Sequence, residues 1–296
     1  MQNTNTRLFI SALFFILVYI KPSYSEIRPQ STTRLVSTGG TGVGSILLEE
    51  AIVLNPASIA FFRDSSFFYQ KNKLTNLDTD QKDGDSFSII AADAKGSFKG
   101  AAGFHKDEDG ETARQKISGA MASAVSENSS FGLNFNYIKD TELLSGNSNK
   151  ESYKNVNLGV THIVSPDFTL GVVIEDVTQS DPFEDDIILG AQYIFKKHFM
   201  LMADIGSLYK SENLNQNFLY RMALQIQFLS DFYLRGGFSR KRTSVEERTS
   251  GLGVSWVQPK LSFDLAYQNV ETYSIVDSSV QAQNLRSTSF SFSYRF

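Results

Sequence analysis

From residue 65 to the C-terminus, apolar residues alternate with small or polar residues in a series of short segments. Between Phe218 and Phe228 every second side chain is large and apolar, while Arg221 and Gln225 occupy intervening positions. A period of two predicts β-strands with one apolar and one polar face. Fourteen such segments are predicted, at residues 65–74, 86–93, 97–105, 114–125, 130–139, 152–164, 167–176, 186–195, 198–206, 217–228, 231–239, 248–256, 260–269 and 286–296.

The links between these segments differ in length in a regular way. After each even-numbered segment the link is short, as at Lys196-Lys197, and after each odd-numbered segment it is longer, as at 75–85 and 140–151. Short turns at one rim, long loops at the other and an even number of strands are typical of bacterial outer-membrane barrels. The sequence therefore predicts an all-β fold, a transmembrane antiparallel up-and-down β-barrel over residues 65–296. A secreted soluble β-protein is the alternative.

Aromatic residues cluster beside the short links, as in the aromatic girdle at a membrane interface. They are Phe98, Phe131, Phe168, Phe195, Phe199, Phe228, Phe232 and Trp256. The chain also ends in an alternating strand that contains Tyr294 and closes on Phe296. This ending resembles the C-terminal signal by which the barrel-assembly machinery recognises its substrates. We therefore expect that machinery and the lipids of the outer membrane among the partners.

Residues 1–25 have the pattern of a cleavable secretory signal peptide. Arg7 supplies a positive charge, residues 8–20 form an apolar run, and Ser23-Tyr24-Ser25 provides small residues before the expected cleavage site. An apolar run of this length is too short for a membrane-spanning helix. Export and a barrel together predict the outer membrane of a Gram-negative bacterium.

Composition excludes several classes of protein. The sequence has 28 Lys and Arg against 32 Asp and Glu, and its longest basic block is Arg240-Lys241-Arg242, so nucleic acid is not expected as a partner. The absence of cysteine excludes disulfides, thiol catalysis, cysteine-ligated metals and a lipoprotein anchor.

Residues 26–64 lack the strand pattern. A glycine-rich run contains Gly39, Gly40, Gly42 and Gly44, and it is followed by Ile46–Val53, for which we predict two helical turns with Ser45 as N-cap and Pro56 as terminator. No lysine follows the last glycine and no strand precedes the run, so it is not a phosphate-binding loop.

This segment resembles the start of the FadL family, the outer-membrane transporters of long-chain fatty acids and hydrocarbons, and of relatives such as the PorV-type barrels. The matching features are Gly39 to Gly44, the short helical piece, and the Asn-Pro-Ala motif at Asn55, Pro56 and Ala57. The resemblance implies that residues 26–64 fold back as a hatch into the lumen of a fourteen-stranded barrel. It does not extend to ligand-binding residues in the outer loops.

We expect no enzymatic activity, no metal and no cofactor. His105 is predicted at the outer rim beside the acidic residues 107–109, without the surrounding motif of an outer-membrane protease or phospholipase. The acidic stretch 78–85 has Lys82 where a calcium loop needs an oxygen ligand, so it is predicted to be a solvated loop.

The predicted lumen lining is polar and of mixed charge. It includes Glu175, Asp204, Arg221, Arg235 and Asp264. Because a hatch would obstruct the interior, the first functional hypothesis is passive, hatch-gated uptake of a small hydrophobic ligand such as a long-chain fatty acid by a monomeric barrel. The alternatives are a barrel that anchors or shuttles an exported protein, as PorV-type relatives do, and a small diffusion pore.

Overall fold

A computed structural model describes residues 30–96, 98–109, 112–142, 150–181, 186–208, 217–243, 245–276 and 279–296. The predicted signal peptide and the first residues of the predicted hatch lie outside the described residues. Fourteen antiparallel strands form a closed barrel in which each strand pairs with its neighbours in sequence, so the predicted fold class is confirmed. The strands are β1 (Ser65–Asn76), β2 (Gln81–Asp93), β3 (Lys99–Asp109), β4 (Thr112–Ala124), β5 (Ser129–Glu142), β6 (Lys150–Ser165), β7 (Phe168–Ile174), β8 (Asp186–Phe195), β9 (Phe199–Leu208), β10 (Phe218–Leu229), β11 (Phe232–Arg242), β12 (Glu246–Val257), β13 (Leu261–Val276) and β14 (Ser279–Arg295).

The barrel is closed by pairing of the first and last strands. Tyr69 in β1 faces Phe292 in β14, and the register continues from Ser66 opposite Arg295 to Asn76 opposite Leu285. The backbone N–H of Phe296 donates to the Ser65 carbonyl at 3.0 Å. No unpaired strand edge is left between β1 and β14, which is the condition for placing a sheet in hydrocarbon.

The barrel wall has apolar side chains on its outer face and polar side chains on its inner face, the opposite of a soluble protein. Large apolar side chains such as Leu252, Leu265 and Phe228 are exposed on the outside, at 62%, 55% and 53%. Polar side chains such as Gln70 and Asn134 face inward and are buried. An apolar exterior around a polar interior is the arrangement of a transmembrane barrel. In the described part of the chain, no helix is both long enough and apolar enough to cross a membrane.

The predicted loops at the outer rim are shorter than expected, because several strands extend beyond their alternating apolar segments. Residues 75–85 were predicted as a link, but Thr75 pairs with Lys82 and Asn76 with Gln81. Likewise β14 begins at Ser279 rather than at residue 286. The extensions of β1 and β2, at residues 75–76 and 81–85, carry polar or small residues on both faces, so the period-two signal is absent there.

Residues 30–64, here called the lumenal segment, lie inside the barrel. The segment contains helix α1 (Thr33–Thr38), helix α2 (Leu48–Ala51) and a 3₁₀ helix at Pro56–Phe61. The predicted helix Ile46–Val53 is therefore shorter than expected, and the predicted N-cap at Ser45 is wrong. Leu47 occupies the cap position without a side-chain bond, because two further residues remain extended before the chain turns.

The apolar core lies between the lumenal segment and the wall. Leu48, Ile52 and Ile59 pack against Phe68 and Ile90 on the side of β1–β4. On the opposite side Val43 and Leu54 pack against the wall residues Val173, Ile188 and Leu219. The barrel interior is thus filled by a segment of its own chain at this level.

Candidate functional site

The lumenal segment follows a defined path because its local sequence specifies caps and turns. Thr32 caps α1 by accepting the backbone N–H of Leu35 on its side-chain oxygen, and Gly39 ends the helix in the left-handed conformation with a φ of 63°. Gly40 and Gly42 also have positive φ values, of 78° and 146°, which side chains disfavour. The glycine run is therefore required by backbone geometry in the turn that follows α1.

Two predicted lumen-lining residues contact this turn. The Asp204 carboxylate accepts the backbone N–H of Gly42 at 2.8 Å and that of Val43 at 3.2 Å. Arg221 Nη1 donates to the Gly40 carbonyl at 3.1 Å. Asp204 is 1% exposed, so its charge is compensated by these N–H groups and by the nearby Arg221 rather than by water.

The Asn-Pro-Ala motif forms a corner that joins the two halves of the segment to the wall. The Asn55 side-chain N–H₂ donates to the Val43 carbonyl at 3.0 Å and to the Val160 carbonyl and Thr161 hydroxyl, each at 3.1 Å. Its side-chain oxygen accepts the Ala57 N–H at 3.1 Å and caps the 3₁₀ helix, where Pro56 occupies the first turn. Asn55 itself is extended, as expected for a residue before proline.

Wall glycines form a seat for the segment. At these positions a Cβ atom would overlap backbone or side-chain atoms of the segment: Gly132 faces Ala57, Gly159 faces Asn55, Gly171 faces Val43, and Gly237 and Gly251 face α1. Sequence analysis missed this set, although isolated glycines inside strands signal a close approach of another backbone. Others in the set are Gly190 and Gly253. The segment thus packs directly against the backbone of the wall.

A network of side-chain hydrogen bonds between charged and polar groups connects α1 to strands β10, β11, β13 and β14. Arg34 and Arg235 both donate to the Gln225 side-chain oxygen, each at 2.7 Å, and Arg235 also donates to Asp264 at 2.8 Å. Ser291 Oγ donates to the other Asp264 oxygen at 3.2 Å. The predicted lumen residues Arg235 and Asp264 are therefore joined in one network that reaches the segment through Arg34.

Helix α2 adds two carboxylates to the lumen. Glu49 binds Arg295 through two hydrogen bonds, of 3.0 and 3.3 Å. Glu50 is buried and accepts only a long bond of 3.4 Å from the Thr32 hydroxyl among the described residues, and its second oxygen has no partner there. Burial raises the pKa of Glu50 to about 7, while the charge of Arg34 acts in the opposite direction.

Other predicted residues lie outside this site. Glu175 follows the end of β7, half-buried, and its backbone N–H donates to the Asp186 carbonyl at 2.9 Å. His105 was predicted at the outer rim. In the structure it lies within β3, its side chain is buried inside the barrel, and it shares a 2.8 Å hydrogen bond with Ser88. The strand β3 continues beyond it to Asp109, which explains the difference.

The C-terminal aromatic residues lie at the end of the wall that carries the short turns. Tyr294 and Phe296 are exposed, and their rings stack with centroids 5.9 Å apart. Two pairs of predicted girdle residues also have their rings in contact, tilted rather than stacked, with Phe195 and Phe199 at 6.4 Å and Phe228 and Phe232 at 5.9 Å between ring centroids. These positions suit an interface, while the role of Tyr294 and Phe296 in assembly stays a prediction.

Together these features define a class: a transmembrane β-barrel whose lumen is occupied by its own N-terminal segment. No protein-family model matches the sequence, and no match was found among curated proteins.

Solved structures do match. The monoaromatic hydrocarbon channel CymD superposes with a TM-score of 0.72 at 12% identity, covering 90% of this chain and 99% of the channel.

Two further structures are similar. The toluene transporter TbuX of Ralstonia pickettii gives a TM-score of 0.67 at 12% identity, and a FadL homologue of Pseudomonas aeruginosa gives 0.63 at 11% identity. Each alignment covers 90% of this chain and 99% of the other chain. The resemblance predicted from the sequence is therefore confirmed at the level of the fold, which is that of FadL-type hydrocarbon transporters.

Proposed function

We propose that this protein mediates passive uptake of small hydrophobic molecules, long-chain fatty acids among them, and that the lumenal segment is a movable hatch. The observation that carries the proposal is the position of residues 33–61, which fill the lumen through non-covalent contacts alone, since the chain has no cysteine. A segment held by hydrogen bonds and packing can be displaced without breaking a covalent bond.

The chemistry exposed by displacement favours an apolar ligand. Movement of α2 and the 3₁₀ helix would uncover Leu48, Ile52 and Ile59 together with Phe68 and Ile90 of the wall. A hydrophobic ligand would replace the contacts that these side chains lose, whereas a polar solute would leave them in water. The similar structures point the same way, because they are described as a hydrocarbon channel and a toluene transporter.

The second candidate is a barrel that anchors or shuttles an exported protein, with the segment as a fixed plug. The close seat formed by the wall glycines favours this reading, because it immobilises the segment at many points. An open diffusion pore is the weakest candidate, since the segment packs against both sides of the lumen.

We further infer a monomer in the outer membrane of a Gram-negative bacterium, with outer-membrane lipids and the barrel-assembly machinery as partners and with no catalytic role. The apolar exterior and the aromatic residues at the rim support the membrane location. The exposed aromatic pair Tyr294 and Phe296 supports recognition by the assembly machinery.

A pair of engineered disulfides separates a movable hatch from a fixed plug. The hydroxyls of Thr33 in α1 and Ser289 in β14 are 2.6 Å apart, so Thr33→Cys with Ser289→Cys can tether the segment to the wall. The hydroxyls of Ser262 and Ser293 are 2.7 Å apart between two wall strands, so Ser262→Cys with Ser293→Cys is the matched control.

Uptake of a fluorescent long-chain fatty acid is then measured in vesicles that contain each variant, before and after oxidation. We expect oxidation to stop uptake through the tethered variant, reduction to restore it, and the control to be unaffected. Equal uptake by the oxidised and reduced tethered variant would contradict a movable hatch. No uptake by the wild type would favour the anchoring role.

A further inference from the structure

The outside of the wall has an apolar groove across β9–β13. Its cavity volume is about 530 Å³, and Gly236 lines it between Leu224 and Leu252, at a position where a Cβ would meet the Leu252 side chain at 3.0 Å. Tyr267 and Asn269 line the end of the groove that is farther from the periplasmic turns. The groove therefore runs from a fully apolar middle to a polar upper end.

Arginine side chains surround this upper end. They are Arg240 and Arg242 in β11, Arg248 in β12 and Arg286 in β14, all at positions that alternate with the inward-facing residues. Among the described residues, two glutamates, Glu246 and Glu271, share this outward patch with the four arginines. The patch thus carries a positive balance of two charges, since four arginines face two glutamates.

Arg240 and Arg248 share Glu246 as an ion-pair partner, at 2.8 and 2.7 Å, and Arg248 stays half-exposed. Arg248 lies over the Tyr273 ring at 5.1 Å, and Arg286 lies over the Tyr267 ring at 5.2 Å. Arg286 also stands directly opposite Asn269 in the β13–β14 register. Tyr267 and Asn269 therefore connect the cationic patch to the apolar groove as one continuous surface.

The height of the patch in the membrane follows from strand geometry. Arg286 lies nine residues above Arg295 at the periplasmic end of β14. With a rise of ~3.3 Å per residue along a strand tilted by ~40°, this corresponds to roughly 23 Å, close to the upper limit of a ~25 Å apolar band. The arginines consequently lie at the level of the headgroups of the outer leaflet.

We propose that this surface binds one anionic lipid of the outer leaflet, of the lipopolysaccharide class, with an acyl chain in the groove and a headgroup phosphate on Arg248 and Arg286. Guanidinium groups bind phosphate through paired, charge-assisted hydrogen bonds, and stacking on tyrosine leaves the edge of the guanidinium directed to the ligand. On the described outward face of β8 and β9, Ile187, Leu189 and Ile205 take the place of such a patch.

Binding is measured with the purified full-length chain in detergent micelles, by native mass spectrometry during titration with lipid A. Arg248→Gln combined with Arg286→Gln removes the phosphate contacts, and Gly236→Leu fills the groove. The matched controls are Lys139→Gln combined with Lys154→Gln, outward lysines on β5 and β6, and Gly119→Leu, an outward glycine with open space around it.

We expect one tightly bound lipid A per barrel, and a loss of affinity of about tenfold or more in both test variants, with the controls unchanged. Dephosphorylated lipid A should bind the wild type as weakly as phosphorylated lipid A binds the arginine variant. Heat-modifiable electrophoretic mobility confirms that each variant is folded.

Three results would overturn the proposal. They are equal affinity of the test and control variants, no preference for the phosphorylated lipid, or a purified dimer that the test variants convert to monomer. The last result would assign the groove to a second copy of the chain.

Discussion

At the scale of single residues, Asp204 is the most consequential side chain of the lumen. Its carboxylate accepts two backbone N–H groups of the glycine-rich turn, at 2.8 and 3.2 Å. Asp204→Ala would leave those N–H groups without their acceptor and Arg221 without its nearby opposite charge, which costs about 2 to 4 kcal/mol. We expect faster proteolysis of the lumenal segment and a lower denaturation midpoint, while Asp167→Ala in an exposed turn should match the wild type.

Glu50 gives the lumenal segment a pH dependence. Its pKa is raised by burial from 4.5 to about 7, so the seated segment binds a proton more tightly than the released one. The free energy that holds the lumenal segment in the barrel is therefore most favourable below about pH 4.5. It weakens as the pH rises to about 7 and is constant above that, with a total change of up to about 3 kcal/mol. Arg34 and Arg235 oppose the shift, and Glu49 and Asp264 reinforce it.

We expect permeability in vesicles to rise between pH 5 and pH 8 in the wild type. Glu50→Gln, which cannot titrate, should show the low permeability of the acidic wild type at both values. A pH slope retained in Glu50→Gln would assign the effect to another group.

The lumen residues illustrate what a sequence can predict at this scale. Alternation within β9 and β10 places Asp204 and Arg221 on the polar face, but not the partner of either. Gly42 is separated from Asp204 by 162 positions, and only closure of the barrel brings them together. The pKa of Glu50 was equally hidden, because it depends on burial by strands far away in the sequence.

At the scale of elements, the fit between α1 and two glycines of the wall is the critical contact. A Cβ at Gly251 would overlap the Val36 carbonyl, and one at Gly237 would overlap the Thr38 carbonyl. Gly251→Ala should therefore displace α1 and increase permeability, at a stability cost of about 1 to 3 kcal/mol. Gly119→Ala, which meets nothing within 4 Å, is the control and should behave as the wild type.

The strands were predictable, whereas of the lumenal helices only the region of α2 was predicted, without its limits, and there is one physical reason for the difference. Lipid outside and polar groups inside impose a strict period of two, so that β8 was predicted with its observed limits, 186–195. Helix α1 has only six residues and α2 only four, too few for a helical period. Their conformation depends on caps and on the glycine seat, which the sequence of the segment alone does not contain.

At the scale of the whole molecule, the exterior must tolerate hydrocarbon. Leu265 in β13 is exposed, and Leu261 lies on the same face at the end of the strand next to a short turn. Leu265→Arg should cost about 2 to 4 kcal/mol in lipid, and Leu261→Arg about 0 to 1 kcal/mol. Denaturant titration in lipid vesicles measures both, and equal costs would show that this face does not meet the membrane core.

The central claim is that the lumenal segment closes the barrel, and its deletion tests this most directly. Removal of residues 33–53 eliminates α1, the glycine-rich turn and α2 but no residue of the wall strands. The variant should fold into a heat-resistant barrel, and single-channel recordings in planar bilayers should show a steady conductance well above that of the wild type. A folded deletion variant with the conductance of the wild type would contradict the account.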